Sequence, residues 1–156
     1  MADLKKLLLS LGFENVKTYL ASGNASFDAQ TKPAATEIEH QIEKTFGFSV
    51  DTIIRTLSDL QRIRASDPFA GIDVTKQIRL YVTFLADKPA SSLSIPYTSP
   101  DKSFRILSAT KSEIYSVLDL AIATTPEAMN ILEKTYGKKI TTRNWNTILK
   151  IIDSLV

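Results

Sequence analysis

Leu4, Leu7, Leu8 and Leu11 recur at helical spacing, so residues 3–11 are expected to form an amphipathic helix. Gly12 follows the last Leu, where a helix stops by turning to positive φ. In "NVKTYLASGNASFD", Val16, Thr18 and Leu20 alternate with Lys17 and Tyr19, and Ser22, Gly23 and Asn24 supply turn chemistry. That stretch predicts a hairpin. A second helix follows, with Pro33 near its first position, a buried face of Ile38, Ile42 and Phe46, and Gly47 at its end. "FSVDTIIR" predicts a strand and "TLSDLQRIRAS" a short helix, with Thr56 and Asp59 at capping-box spacing. "DPFAG" breaks that helix. "IRLYVTFLA" is a clear strand, with Leu80, Val82 and Phe84 on one face and Arg79, Tyr81 and Thr83 on the other.

Beyond it, residues 87–101 are rich in Pro and Ser and mark a subdomain boundary. The expected division is 1–86, a linker at 87–101, and 102–156. "SFRILSATKSEIYSVLD" predicts another hairpin. Thr125, Pro126 and Glu127 open a helix that stops at Gly137. The last helix is expected to start near Thr142, with Thr141 or Thr142 as its cap. Trp145, Ile148, Leu149, Ile152 and Leu155 form its apolar stripe, which makes Trp145 a buried anchor. Helices interleave with hairpins, so the class is α+β with a mostly antiparallel sheet. "LGFENVKTYL" and "FGFSVDTIIR" echo one another, an echo read as shared local grammar.

Composition narrows the chemistry. The chain has 156 residues, 44% of them hydrophobic, which suits a self-sufficient core. There is no Cys, which removes disulfides, thiolate catalysis and Cys-ligated metals and fits a reducing cytoplasm. The single His, His40, projects away from its helix's apolar face; Ser-His-Asp triads and conventional zinc sites therefore find no support. Four of the five glycines are absorbed by helix ends and the hairpin turn, and Gly71 alone cannot make a P-loop or GxGxxG phosphate cradle. The sequence calls for no cofactor and no metal, and no apolar run is long enough to span a membrane. A net charge of +2 points to no particular partner.

The polar residues beside the turn and the last helix remain. Ser22, Gly23, Asn24, Arg143 and Asn144 are the candidate ligand-binding set, although Ser22 and Asn24 also suit the turn itself. Arg143 at a helix start offers an anion a place to bind. Lys138, Lys139, Arg143 and Lys150 make the C-terminal segment basic, usually the mark of a solvated face.

"LGFENVKTYLASGNASF" and "TTRNWNTILK", with "DPF" and "EIY" in order between them, closely resemble the bacterial family known as domain of unknown function 1697. The resemblance spans nearly the whole chain. It implies an α+β fold, with a ferredoxin-like subdomain and a second small α/β subdomain, and no known activity. Family members usually begin with a strand and an Arg-Gly-Ile-Asn-type loop ahead of the first helix, a segment without counterpart in these 156 residues. The expected consequence is a bared central edge, repaired by strand donation or a homodimer.

Two functional classes stay open: a non-enzymatic binding or interaction module, and an enzyme acting on a small anionic substrate. Nucleic acid is the most concrete macromolecular partner for the first, with Tyr19 and Tyr81 as stacking candidates, but no RNP-type aromatic run accompanies them. The second requires Ser22, Asn24, Arg143 and Asn144 to converge.

Overall fold

The computed structural model describes residues 2–19, 23–87 and 93–156. The chain divides into two units, Met1–Thr56 and Leu57–Val156.

The first unit contains α1 (Ala2–Ser10), β1 (Glu14–Tyr19), β2 (Asn24–Asp28) and α2 (Ala35–Phe46). β1 and β2 form an antiparallel pair, with Thr18 opposite Ala25 and Tyr19 opposite Asn24. Gly23 holds φ +73°, as the expected turn requires. Pleating places Val16, Thr18, Ala25 and Phe27 on one face. Leu7, Ile38 and Ile42 form the buried cluster of this unit, and Phe13, Phe27, Val50 and Ile54 pack against it. Phe13 and Phe27 stack at 4.3 Å. α2 begins at Ala35 behind the N-cap Ala34, so Pro33 precedes the helix rather than opening it. Gly47 closes α2 at φ +78°, its N–H donating to Glu43 O.

One expected strand is absent from the sheet. Residues 49–56 run without helix, turn or bend, but they join no ladder. Val50 and Ile54 still reach the core at strand-like spacing. A strand needs a neighbour, and this segment has none among the described residues. Among the described residues the sheet of this unit is the β1–β2 pair.

The second unit holds α3 (Leu57–Ala65), β3 (Ile78–Leu85), β4 (Tyr97–Thr98), β5 (Phe104–Ala109), β6 (Glu113–Asp119), α4 (Thr125–Tyr136), β7 (Ile140–Asn144) and α5 (Trp145–Leu155). Its five strands pair antiparallel in the order β4-β5-β6-β3-β7. On one face Tyr81, Leu85, Phe104, Ile106, Ile114 and Leu118 meet Ala128 and Leu132 of α4. On the other, Arg62 of α3 bonds Glu113, and Phe69 bridges the Tyr115 and Trp145 rings. Helices cover both faces, which explains why β3 is buried at every position from Tyr81 to Leu85 instead of alternating. Thr83, wholly buried, satisfies its hydroxyl on Thr142 Oγ1 at 2.8 Å.

The boundary expected at 87–101 falls elsewhere. β3 pairs with β6 and β7, so the chain before and after that loop shares one sheet, and Tyr97–Thr98 within it supplies β4. Polar, Pro-rich composition marks a surface loop, but sheet pairing across it makes one unit. The hairpin expected from "SFRILSATKSEIYSVLD" is β5–β6, with a register shift between Ile106 and Ser108. α4 is capped by Thr124, one residue earlier than expected, and its backbone N–H donates to Glu127 Oε2 at 2.6 Å.

A pocket at the strand-to-helix junction of β7 and α5

Residues 140–144 form a strand, not the lead-in to a helix. Ile140, Thr141 and Thr142 are β-branched and suit a pleated edge, where Phe84 pairs with Thr141 and Tyr81 with Asn144. The chain then turns directly into α5. Asn144 is the N-cap, at φ −61° and ψ 138°, and its Oδ1 accepts from Asn146 N at 2.9 Å. The cap is therefore Asn144 rather than Thr141 or Thr142, because those two are engaged in the β7 ladder.

This abrupt change decides the position of Trp145. It opens the first turn of α5, directly after the edge strand β7. Ile148 and Ile152 are buried, whereas Trp145 is only half-buried. One side of the indole packs on Phe69, ring centroids 5.4 Å apart and tilted 57°. The expected core anchor is thus partly open. With Val74, Thr75, Ile78, Arg79, Leu80, Asn144 and Asn146 it lines a shallow pocket of about 170 Å³.

Arg79 is the only charged residue of that lining. It enters from the start of β3, and its Nη1 donates to Lys76 O at 2.8 Å and Ile78 O at 3.2 Å. Those bonds hold the guanidinium close to its own backbone, with further N–H donors left on the fork. The lining therefore brings together an indole, a guanidinium and two carboxamides with the apolar residues Val74, Ile78 and Leu80.

Of the residues expected to bind a ligand, Asn144 lines this pocket and Arg143 does not. They are consecutive in β7, so their side chains leave on opposite faces. Arg143 is half-buried, and its Nη1 donates to Thr142 O at 3.0 Å. Burial draws its pKa below the ordinary guanidinium value. Gly23 and Asn24 belong to the other unit, and Ser22 lies outside the described residues. Tyr81 offers no stacking surface: it is buried, and its hydroxyl lies 3.1 Å from Thr125 Oγ1. Tyr19 is half-buried, its hydroxyl 3.0 Å from Ser26 Oγ. His40 is exposed, as its helical phase predicts. Arg79, Val74 and Thr75 escaped sequence reasoning, since nothing local links the start of β3 to residues 144–146. Among the described residues no group of three His, Asp or Glu is placed to hold a metal, and no helix is long and apolar enough to cross a membrane.

Together these features define an α+β protein with a helix-covered antiparallel sheet and a small polar pocket at the sheet's edge. The chain belongs to the family described as protein of unknown function (DUF1697), whose sequence profile matches residues 1–115. Among solved structures it is similar to the conserved bacterial protein SP0830 from Streptococcus pneumoniae, at 18% identity and a TM-score of 0.59. That likeness covers 100% of this chain and 88% of the other, and it shows the fold. No curated protein matches the sequence.

Proposed function

We propose that the protein is a binding module of the cytoplasm and that a small molecule bearing acceptor oxygens on a flat, partly apolar body seats in the pocket beside Trp145. The observation that carries this reading is the half-buried indole, packed on Phe69 along one side and lining a pocket with Arg79, Asn144 and Asn146. A large aromatic left partly open beside convergent donors suits stacking combined with directional hydrogen bonds. The lack of Cys supports a reducing compartment.

Trp145 is the only Trp of the chain, so its emission reports on this site alone. Titration with aromatic carboxylates, nucleosides, nucleotides and sugars should find a class that changes the emission saturably and raises the melting temperature by mass action. Arg79→Ala and Asn146→Ala should weaken that response without altering the fold. If every class leaves both emission and melting unchanged, or if binding survives both substitutions, the pocket is not the site.

A further inference from the structure

Backbone contacts bias the hydrogen-bonding groups of the pocket that Trp145 and Arg79 line. Arg79 spends Nη1 on two carbonyls, Lys76 O at 2.8 Å and Ile78 O at 3.2 Å. The Nε and Nη2 edge of the guanidinium is left, and its two parallel N–H groups match the two oxygens of a carboxylate. Asn144 spends Oδ1 on the Asn146 N–H at 2.9 Å, which leaves its Nδ2 as a donor. Thr75 Oγ1 accepts from Gln77 N at 3.3 Å, and its hydroxyl hydrogen remains to donate. The Trp145 indole nitrogen can only donate. These side chains of the lining have donors to offer, and two of their acceptors are already engaged.

Charge points the same way. Arg62 and Arg64 each meet a carboxylate, Glu113 and Asp153, whereas Arg79 is half-buried and pairs with no carboxylate among the described residues. Asp73 and Lys76, on the segment that leads into β3, are both exposed and opposite in charge. A cation that has lost part of its hydration gains more from an anion than from a neutral ligand. Size sets a further bound. The pocket holds about 170 Å³, close to the roughly 150 Å³ of an engineered apolar cavity that takes up benzene, so its enclosed part suits one ring.

We propose that the ligand is a single-ring aromatic monocarboxylate, its ring against Trp145 and its carboxylate on the Nε and Nη2 edge of Arg79. The inference rests on the reading that the pocket beside Trp145 is the ligand site, and it names the chemical class that site takes. An ionised carboxylate brings acceptors only, as a donor-rich lining requires, and its single charge is neutralised by one guanidinium. A phosphate monoester brings roughly two negative charges at neutral pH and leaves part of them unmatched. A neutral amide or nucleoside leaves the charge of Arg79 uncompensated.

The test compares benzoate, benzamide and phenyl phosphate on the full chain, by calorimetric titration and by Trp145 emission. Benzoate should bind saturably and change the emission. Benzamide and phenyl phosphate should each bind about tenfold or more weakly, the margin that a charge-assisted, paired hydrogen bond supplies. Arg79→Gln should bring benzoate down to the benzamide level and leave benzamide itself unchanged. Arg79→Lys keeps the charge but loses the paired edge, and should fall between parent and Arg79→Gln. Should Arg79→Gln fail to fold, the ranking of the three ligands on the parent chain decides alone. Benzamide or phenyl phosphate binding as tightly as benzoate, with the emission responding, overturns the carboxylate and leaves the site standing. Benzoate binding that survives Arg79→Gln overturns it equally. If no ligand of any class binds or moves the emission, the site reading fails and this inference falls with it.

Discussion

Arg62 Nη2 lies 3.0 Å from Glu113 Oε1, joining a guanidinium on the surface of α3 to a carboxylate with no solvent exposure on β6. The Glu113 bond raises the Arg62 pKa above its ordinary value. A buried carboxylate depends on its partners to offset lost hydration. Arg62→Met should therefore destabilise the chain by about 2 kcal/mol, within the range for a charge-assisted bond and below that of a wholly buried pair. Arg64→Met removes the exposed contact of Arg64 with Asp153 and should cost less than about 1 kcal/mol. Equal losses in urea unfolding would refute the distinction.

Trp145 is half-buried, so its loss should cost less than that of a core Trp. Trp145→Ala is expected to destabilise by about 1–2 kcal/mol, against the 3–5 kcal/mol usual for full burial. Acrylamide should quench the emission readily. A loss above about 3 kcal/mol, with emission shielded from quencher, would restore the indole to the core.

Gly23 sits at φ +73° with nothing within 4 Å of an added Cβ. Space is not the constraint there; backbone conformation is. Gly23→Val should cost about 1–2 kcal/mol, because the left-handed region disfavours L-residues and β-branched ones most. Gly23→Asn should cost distinctly less. Identical melting temperatures for the two variants would remove the argument.

Asp101 accepts from Ser103 Oγ, Ser99 Oγ and Ser103 N, at 2.6, 2.7 and 3.0 Å. Those bonds, the Ser103 side chain foremost, lower its pKa from 3.8 to about 2. A carboxyl whose folded pKa lies below its unfolded value stabilises the fold fully above the unfolded value, and the contribution fades as pH falls through the folded one. The loss should therefore fall between about pH 4 and pH 2. Asp101→Asn should be less stable than the parent at pH 6 and show a shallower decline in that window. Parallel acid limbs for the two chains would count against this role.

Nucleic-acid binding should be feeble and respond weakly to salt. Lys138, Lys139 and Lys150 are exposed, but Arg143 is half-buried and tied to Thr142 O. Few cations can then displace counterions, and the slope of log affinity against log salt should be no steeper than about −3. A tight complex with a steep slope would overturn this.

Local sequence was enough for the helices, because their information is periodic and short-ranged. Leu7 and Leu8, Ile38 and Ile42, and Ile148 and Ile152 all take the buried faces that their spacing predicts. The Gly23 turn and the β5–β6 hairpin were legible for the same reason: each forms between neighbours in the chain. Pairing between distant segments was not legible. "FSVDTIIR" has a strand's pattern but joins no ladder among the described residues, and "ITTRN" suggests a cap and helix start near Thr142 because nothing nearby reveals that β3 pairs with it. The same long-range pairing carries the sheet across the Pro-rich loop and sets Arg79 near Asn144. It also leaves Trp145 at an open edge rather than in the core. A side chain's phase on a helix is a property of the helix, whereas its burial depends on which strand ends beside it.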